Sequence, residues 1–359
     1  MPKIDLTKVV YGGSRFNSVA LVDKRGDLIV APSLYLSNLR VNGSSINTLQ
    51  NYAYHLDTFF KVLDHSQLDW RDVTQEAIDL YLNRYLSEEL GLSEKSIKPH
   101  VAALSGFFQY AFLHGFCERP LTFAYRLGIS GEPTSTKKNA ADELIEHYIP
   151  KEKFEALLGA VDEQSAYLQE RNELVLCLGY YMGLRAAEVV DPRNLNRKKL
   201  FKNGEVPEKI TIIGKGEKQR SVTIPYPIKE KIKSFITGRQ KDIPGKLLIS
   251  SDDGSPLNRA FASKLFLKAA RNSEDPFFGQ RGFHSLRHTF ATNLVSDSYE
   301  RGHDPWVVVP QQMGHADLQT TFGYVFFEAV LSKRHSLIKK LSIKNSDIRK
   351  KNWAKKKNH

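Results

Sequence analysis

"FHSLRHTFATNL", residues 283–294, brings His284, Arg287 and His288 within five positions and follows them with an apolar run. Phe290, Ala291 and Leu294 share one side of a predicted helix and would anchor it. His284 and His288 stand one helical turn apart, a spacing that suits two zinc ligands. A zinc-protease motif needs Glu directly after the first His, and Ser285 occupies that place. No third ligand stands at an obvious spacing nearby, so the stretch predicts no metal centre. The other reading is a set of basic groups that handle a phosphate.

Basic residues mark similar boundaries elsewhere. Arg185 follows Gly183-Leu184 where one helical pattern ends and "AAEVV" begins. Glu188, three residues on, lies beside it on a helix and would fix its guanidinium. Lys215 sits at the tip of Gly214-Lys215-Gly216, with Lys218 and Arg220 behind it. His315 follows Gly314, and Tyr324 stands nine residues further on. Glycine beside a basic residue lets backbone approach a ligand closely. Singly, each has a plainer reading: a surface ion pair, a solvated turn, a helix cap, a core aromatic.

The wider chain narrows the choice. Its 359 residues predict about two domains, and 41% hydrophobic content suffices for real cores. No apolar stretch approaches the ~20 residues of a membrane span, and "MPKIDLTKVVYGG" has neither signal-peptide nor transit-peptide character. Cys117 and Cys177 lie far apart in apolar segments, which predicts reduced, buried thiols in a cytosolic protein and excludes a cysteine zinc site. The net charge is +12, of which +10 falls between Lys333 and His359, with eleven Lys or Arg against Asp347 alone. That tail has the character of a polyanion binder or of a solvated terminus. The body must bind any nucleic acid through local clusters.

Along the chain, residues 1–44 contain "VALVDKRGDLIV", which predicts a hairpin around Arg25-Gly26. Three helices follow in 45–127. The first is N-capped by Ser45 and carries the stripe Leu49, Tyr52, Ala53, Leu56, Phe59, Phe60 and Leu63. The second fits "TQEAIDLYLNRYLSEEL"; the third starts after Ser93, with Ile97, Val101, Leu104, Phe107, Phe108 and Phe112 facing inward. Residues 128–150 mix Gly, Pro, Ser, Thr and charges and predict an exposed linker. A larger domain over 151–345 is helical except at "EKITIIGKGEKQRSVTIP", two short β-runs around Gly-Lys-Gly. A basic tail, 346–359, ends the chain. The fold class is mainly α with a small β-sheet.

In their order, Arg185-x-x-Glu188, the Gly-Lys-Gly hairpin, His284-x-x-Arg287-His288, Gly314-His315 and Tyr324 resemble the tyrosine recombinases (phage integrase family). The words "GLRAAEVV", "GKGEKQRSVTIP", "HSLRHTFATNLV" and "MGHADLQTTFGYV" agree, and the resemblance runs from about residue 45 to 341. It implies a two-domain DNA clamp of helical, SAM-like core-binding domain and catalytic domain. It implies a site-specific recombinase that cuts and rejoins strands through a 3′-phosphotyrosyl intermediate. Tyr324 would be the nucleophile; Arg185, Lys215, His284, Arg287 and His315 the catalytic basic residues; Glu188 their support. His288 matches the wording but is assigned packing or a hydrogen bond behind the site, pointing away from the phosphate.

The chemistry agrees with that assignment. Charge builds on the non-bridging oxygens during attack, and two guanidinium forks can grip them while staying charged. A phenol of pKa about 10 needs a base or a positive field. Lys215 would protonate the leaving 5′-oxygen, His284 would accept the phenol proton, and His315 would donate to the phosphoryl oxygens. No cofactor or metal is required. Lys218 and Arg220 are expected DNA phosphate contacts, and Lys95 and Lys98 phosphate or groove contacts.

The resemblance further implies double-stranded DNA at specific recombination sites as partner, a homo-tetramer, and accessory directionality proteins. It implies a cytoplasmic, nucleoid-associated place in a prokaryotic cell and no membrane. The apolar excess after Tyr324 (Val325, Phe326, Val330, Leu331, Leu337, Ile338, Leu341) predicts packing in trans. A type IB topoisomerase-like enzyme and a non-catalytic DNA-binding protein are the alternatives. Pro305 and Pro310 depart from the family's uninterrupted helix before His315 and predict a kink or a later helix start.

Overall fold

The computed structural model describes residues 3–11, 13–119, 121, 123, 145–314 and 318–333. It divides into two units, Met1–Thr134 and Ser135–His359, so the division falls within 128–150. Among the described residues the fold is mainly helical with two small antiparallel sheets. His315 and the whole basic tail, with Leu337, Ile338 and Leu341, lie outside the described residues.

In the first unit β1 (Lys3–Tyr11) pairs with β2 (Ser14–Leu21), shifting register between Leu6 and Val9. The hairpin predicted at Arg25-Gly26 is therefore corrected. Val19 to Leu21 pair upstream with β1, and only Val22 and Leu28 bridge across the later turn. The Asp23 carboxylate accepts from the Arg25 and Asp27 amides, both at 2.8 Å, and closes that turn. The chain then enters α1 (Val30–Val41) instead of a second strand.

Helix α2 (Ile46–His65) begins at Ser45, whose hydroxyl accepts from the Thr48 amide at 3.2 Å. Such a cap stabilises a helix by about 1 kcal/mol. Next come α3 (Gln75–Asp79), which widens into a π-helical stretch over Leu80–Glu89, and α4 (Glu94–Leu113). Val19, Leu21, Tyr35 and Leu36 share one core with Leu49, Leu56, Phe59, Ile97 and Phe107. Residues 1–44 thus belong to the bundle and are not a separate segment. Phe112, expected inside, is 39% exposed.

The second unit starts before the predicted boundary. Ile149 is fully buried and its amide donates to Thr289 Oγ1 at 2.9 Å, so the exposed linker does not extend to 150. Helices α5 (Lys151–Gly159), α6 (Ala166–Met182), α7 (Ala186–Val190) and α8 (Arg197–Leu200) lead to β3 (Lys209–Ile213) and β4 (Gln219–Thr223). The strands pair from Lys209↔Thr223 to Ile213↔Gln219 and close on Gly214–Lys218. Then follow α9 (Tyr226–Thr237), α10 (Phe261–Asn272), α11 (Phe283–Glu300), α12 (Pro305–Met313) and α13 (Leu318–Leu331).

Pro305 and Pro310 lie in one helix, α12, so the later start is not observed. Pro305 takes the first turn, where its missing N–H costs nothing, and the Asp304 side chain caps the Trp306 amide. Ala291 and Val295 of α11, Val309 and Met313 of α12, and Phe322, Val325 and Phe327 of α13 form one core. Val325, assigned to trans packing, is therefore buried within its own unit.

Candidate active site

Two left-handed glycines set the site. Gly183 (φ 62°) ends α6 and Gly314 (φ 64°) ends α12, each where a side chain would strain the backbone. Arg287, from the second turn of α11, donates to the carbonyls of Gly183 and Met313. Those two bonds hold a guanidinium that is only 2% exposed. Burial first, then the charges of Arg185 and Arg220, lower its pKa to about 9. An arriving anion offsets all three penalties, so the site favours negative charge.

Arg185 stands at the N-terminus of α7, directly after the α6 turn. Its amide donates to Glu188 Oε2 at 2.8 Å and its Nη1 to Glu188 Oε1 at 2.7 Å. One third of its side chain stays accessible. Glu188, 4% exposed, also receives both terminal nitrogens of Arg220, at 2.7 and 2.6 Å. Burial alone would raise this carboxyl, but the hydrogen bonds and charge of Arg220, with Arg185, hold it at about 2. Glu188 is thus a permanent anion between two arginines.

Arg220 is corrected as a DNA contact. It is 8% exposed, and its Nε donates to the Gln312 carbonyl at 3.0 Å. Strand β4 alternates exposed and buried, placing Arg220 on the inner face with Val222. Lys218, just before the strand, is exposed, as are Lys95 and Lys98 at the start of α4 in the first unit. Lys98 pairs with Glu94 at 2.8 Å.

Asn194 ties the end of α7 to the hairpin, donating to the Glu188 and Ile213 carbonyls and accepting from the Ile213 amide at 2.8 Å. Gly214 follows, against the arginine cluster. A Cβ there would stand 3.0 Å from Glu188 Oε1 and 3.2 Å from Arg220 Nη1. The backbone of Lys215 begins the turn at this point. Its side chain lies outside the described residues. Glu217 in the same turn is held by Arg193 at 2.7 Å.

Tyr324 projects from α13 and is 4% exposed. Burial raises its phenol to about 12, against the opposing charges of Arg287 and Arg185. Its hydroxyl meets His288 Nδ1 at 2.7 Å. The hydrogen bond expected of His288 is made, but to Tyr324 itself, so the expectation that His288 points away from the site is corrected. His284 meets the His288 ring edge-on at 4.4 Å. His284 opens to solvent. Yet desolvation, followed by Arg287, Arg185 and His147, lowers its pKa to about 4, so it is neutral at neutral pH. The sequence reading missed His147, from the short helical segment 145–147. It stacks on His288 at 5.6 Å and meets Ser285 Oγ at 3.4 Å. Its place in a polar, Gly- and Pro-containing stretch gave no local signal; the one-turn spacing of His284 and His288 did signal that they share a face.

The arrangement can bind a phosphate on Arg185 and Arg287 beside a phenol that contacts an imidazole. Among the described residues no cluster of metal-binding side chains occurs, and no helix is long and apolar enough to cross a membrane.

The chain resembles known proteins along most of its length. Tyrosine recombinase XerH of Helicobacter pylori is 28% identical over 246 residues, 66% of this chain and 64% of that one. The match therefore spans less than two thirds of that relative. Tyrosine recombinase XerA of Pyrococcus furiosus is 28% identical over 305 residues, 81% of this chain and 87% of that one. Among solved structures, a lambda integrase dimer bound to a COC′ core site superposes with a TM-score of 0.58 at 19% identity, covering 86% of this chain and 77% of that one. Residues 33–115 match the phage integrase N-terminal SAM-like domain. The model of the phage integrase family itself matches residues 147–327, half of the sequence and all of the described site, and the chain belongs to that family.

Proposed function

We propose that this protein is a tyrosine-type site-specific DNA recombinase. Tyr324 attacks the scissile phosphate, leaving a 3′-phosphotyrosyl link and a 5′-hydroxyl. A 5′-hydroxyl from a partner duplex then attacks that link. The observation that carries the reading is that the charges of Arg287 and Arg185 both act on the Tyr324 phenol, whose hydroxyl meets His288. Both arginines bind the phosphate, and Glu188 fixes Arg185. Lys215 protonates the leaving oxygen, while His315 donates to the phosphoryl oxygens. Bond energy stays in the covalent link, so no cofactor is consumed.

The 45–127 helices and the catalytic unit are the two DNA-binding domains, with Lys95, Lys98 and Lys218 on phosphates. Double-stranded DNA and further copies of the chain, as a tetramer, are its partners. Integration or excision of mobile DNA in the prokaryotic cytoplasm, with accessory directionality proteins, is the setting that fits. The related structures of a lambda integrase tetramer on a Holliday junction and of XerH on difH substrate support this assembly by analogy.

The test is a covalent adduct. Full-length protein is incubated with nicked duplexes carrying a site selected from random DNA. An adduct with wild type and none with Tyr324→Phe supports the reading. Absence of any adduct, or its persistence in the variant, overturns it. Relaxation of supercoils without strand-exchange products would instead assign a topoisomerase.

A further inference from the structure

We propose that His288 is the catalytic proton acceptor for Tyr324, through the Nδ1···Oη contact, a role first expected of His284. The proposal rests on the nucleophile reading above. The contact is 2.7 Å, within reach for proton transfer. Among the described residues, His288 is the imidazole in hydrogen-bond contact with the Tyr324 hydroxyl.

The geometry is held from both sides. His288 follows Arg287, whose guanidinium is tied to the Gly183 and Met313 carbonyls, so α11 cannot turn about its axis without breaking both. His147 lies parallel to the His288 ring, with 16° between planes, and His284 meets it at 79°. A packing aromatic would need neither an oriented nitrogen nor two flanking imidazoles.

In the cleavage step Tyr324 Oη bonds to phosphorus and its proton passes to His288 Nδ1. The P–O5′ bond breaks, and the 5′-oxygen takes a proton from Lys215. In the joining step the incoming 5′-hydroxyl attacks and gives its proton back to Lys215, the Oη–P bond breaks, and Oη regains its proton from Nδ1. No proton is stored across the cycle. The groups that meet the His288 ring are His284 on α11, His147 on the helical segment 145–147 and the Tyr324 phenol on α13, and the charges of Arg287 and Arg185 act on that phenol.

The test uses His288→Asn in the full-length chain. Asparagine keeps a hydrogen-bonding side chain near Nδ1 but accepts no proton. Single-turnover cleavage is measured from pH 5 to 10 on a nicked duplex and on its 5′-bridging phosphorothiolate counterpart, whose leaving group needs no proton. The expected result is a loss of about 10²–10⁴-fold at neutral pH on both substrates. The variant's rate should then climb tenfold per pH unit where wild type is flat. Lys215→Ala, in contrast, is restored by the phosphorothiolate. The slope is independent of how much variant folds.

A His288→Asn rate within threefold of wild type, or a wild-type-shaped profile, overturns the proposal while leaving Tyr324 as nucleophile. Rescue of the variant by the phosphorothiolate also overturns it, placing His288 at the leaving group. A wild type that forms no adduct overturns the nucleophile reading, and this role with it.

Discussion

Arg220 and Glu188 form a two-pronged ion pair, at 2.7 and 2.6 Å, in which both side chains are about 95% buried. Arg220 comes from the hairpin and Glu188 from α7, so the pair fixes the hairpin against Arg185, which Glu188 also holds. Its worth is positional, because burying two charges costs nearly what their attraction returns.

Removing one partner is different. Glu188→Gln leaves two arginines facing each other and is expected to lose about 3–5 kcal/mol of stability. Urea denaturation of the isolated protein measures it. A loss below about 1 kcal/mol would show that water already reaches the pair.

The same carboxyl sets an acid limit. Its folded pKa of about 2 lies below the ordinary 4.5. Its contribution is therefore full above 4.5 and is lost as pH falls towards 2. Acid unfolding followed by circular dichroism should show a steep loss across that window, and Glu188→Gln should flatten it.

His284 gives a second, higher window. Its pKa falls from 6.5 to about 4 on folding, so the unfolded chain binds the extra proton between those values. Stability should decline as pH drops from 6.5 to 4, and His284→Gln should remove that slope. NMR titration of the imidazole should give a midpoint near 4 without DNA and a higher one with it.

Gly183→Ala attacks the seat of Arg287. A Cβ there would stand 2.3 Å from Phe290 Cδ1, at a positive φ. Left-handed strain adds about 1–2 kcal/mol and overpacking about 1–3 kcal/mol. A lowered Tm together with reduced DNA cleavage is expected; an unchanged Tm would mean Phe290 moves freely.

Glu217→Ala frees the turn that begins at Lys215. The Arg193–Glu217 pair is 47% and 74% exposed, so global stability should shift by less than about 1 kcal/mol. Amide exchange at residues 214–218 should nevertheless quicken. Unchanged exchange would show that the backbone bond from Gly214 to Lys218 holds the turn by itself.

Legibility in the sequence followed the range of the interaction. Ser45 as a cap, the α2 stripe and the Gly214–Gly216 hairpin are local, and residue spacing revealed them. Arg220 was misread because the strand's period of two, which sets it beside Val222, was not applied to a charged side chain. His288 shares a helical face with His284, so the spacing that suggested zinc already argued against its pointing away. His147 could not be found: it lies 141 residues from His288, in a stretch without periodicity. Likewise, β1 took the partner assigned to Leu28 because strand pairing is settled by packing on α1 and α2, beyond any window of local pattern.

The burial of Tyr324 has one more consequence. With its phenol pushed up to about 12 by burial, the hydroxyl keeps its proton at neutral pH. What Tyr324 can do is therefore set less by its own acidity than by the imidazole that its hydroxyl meets.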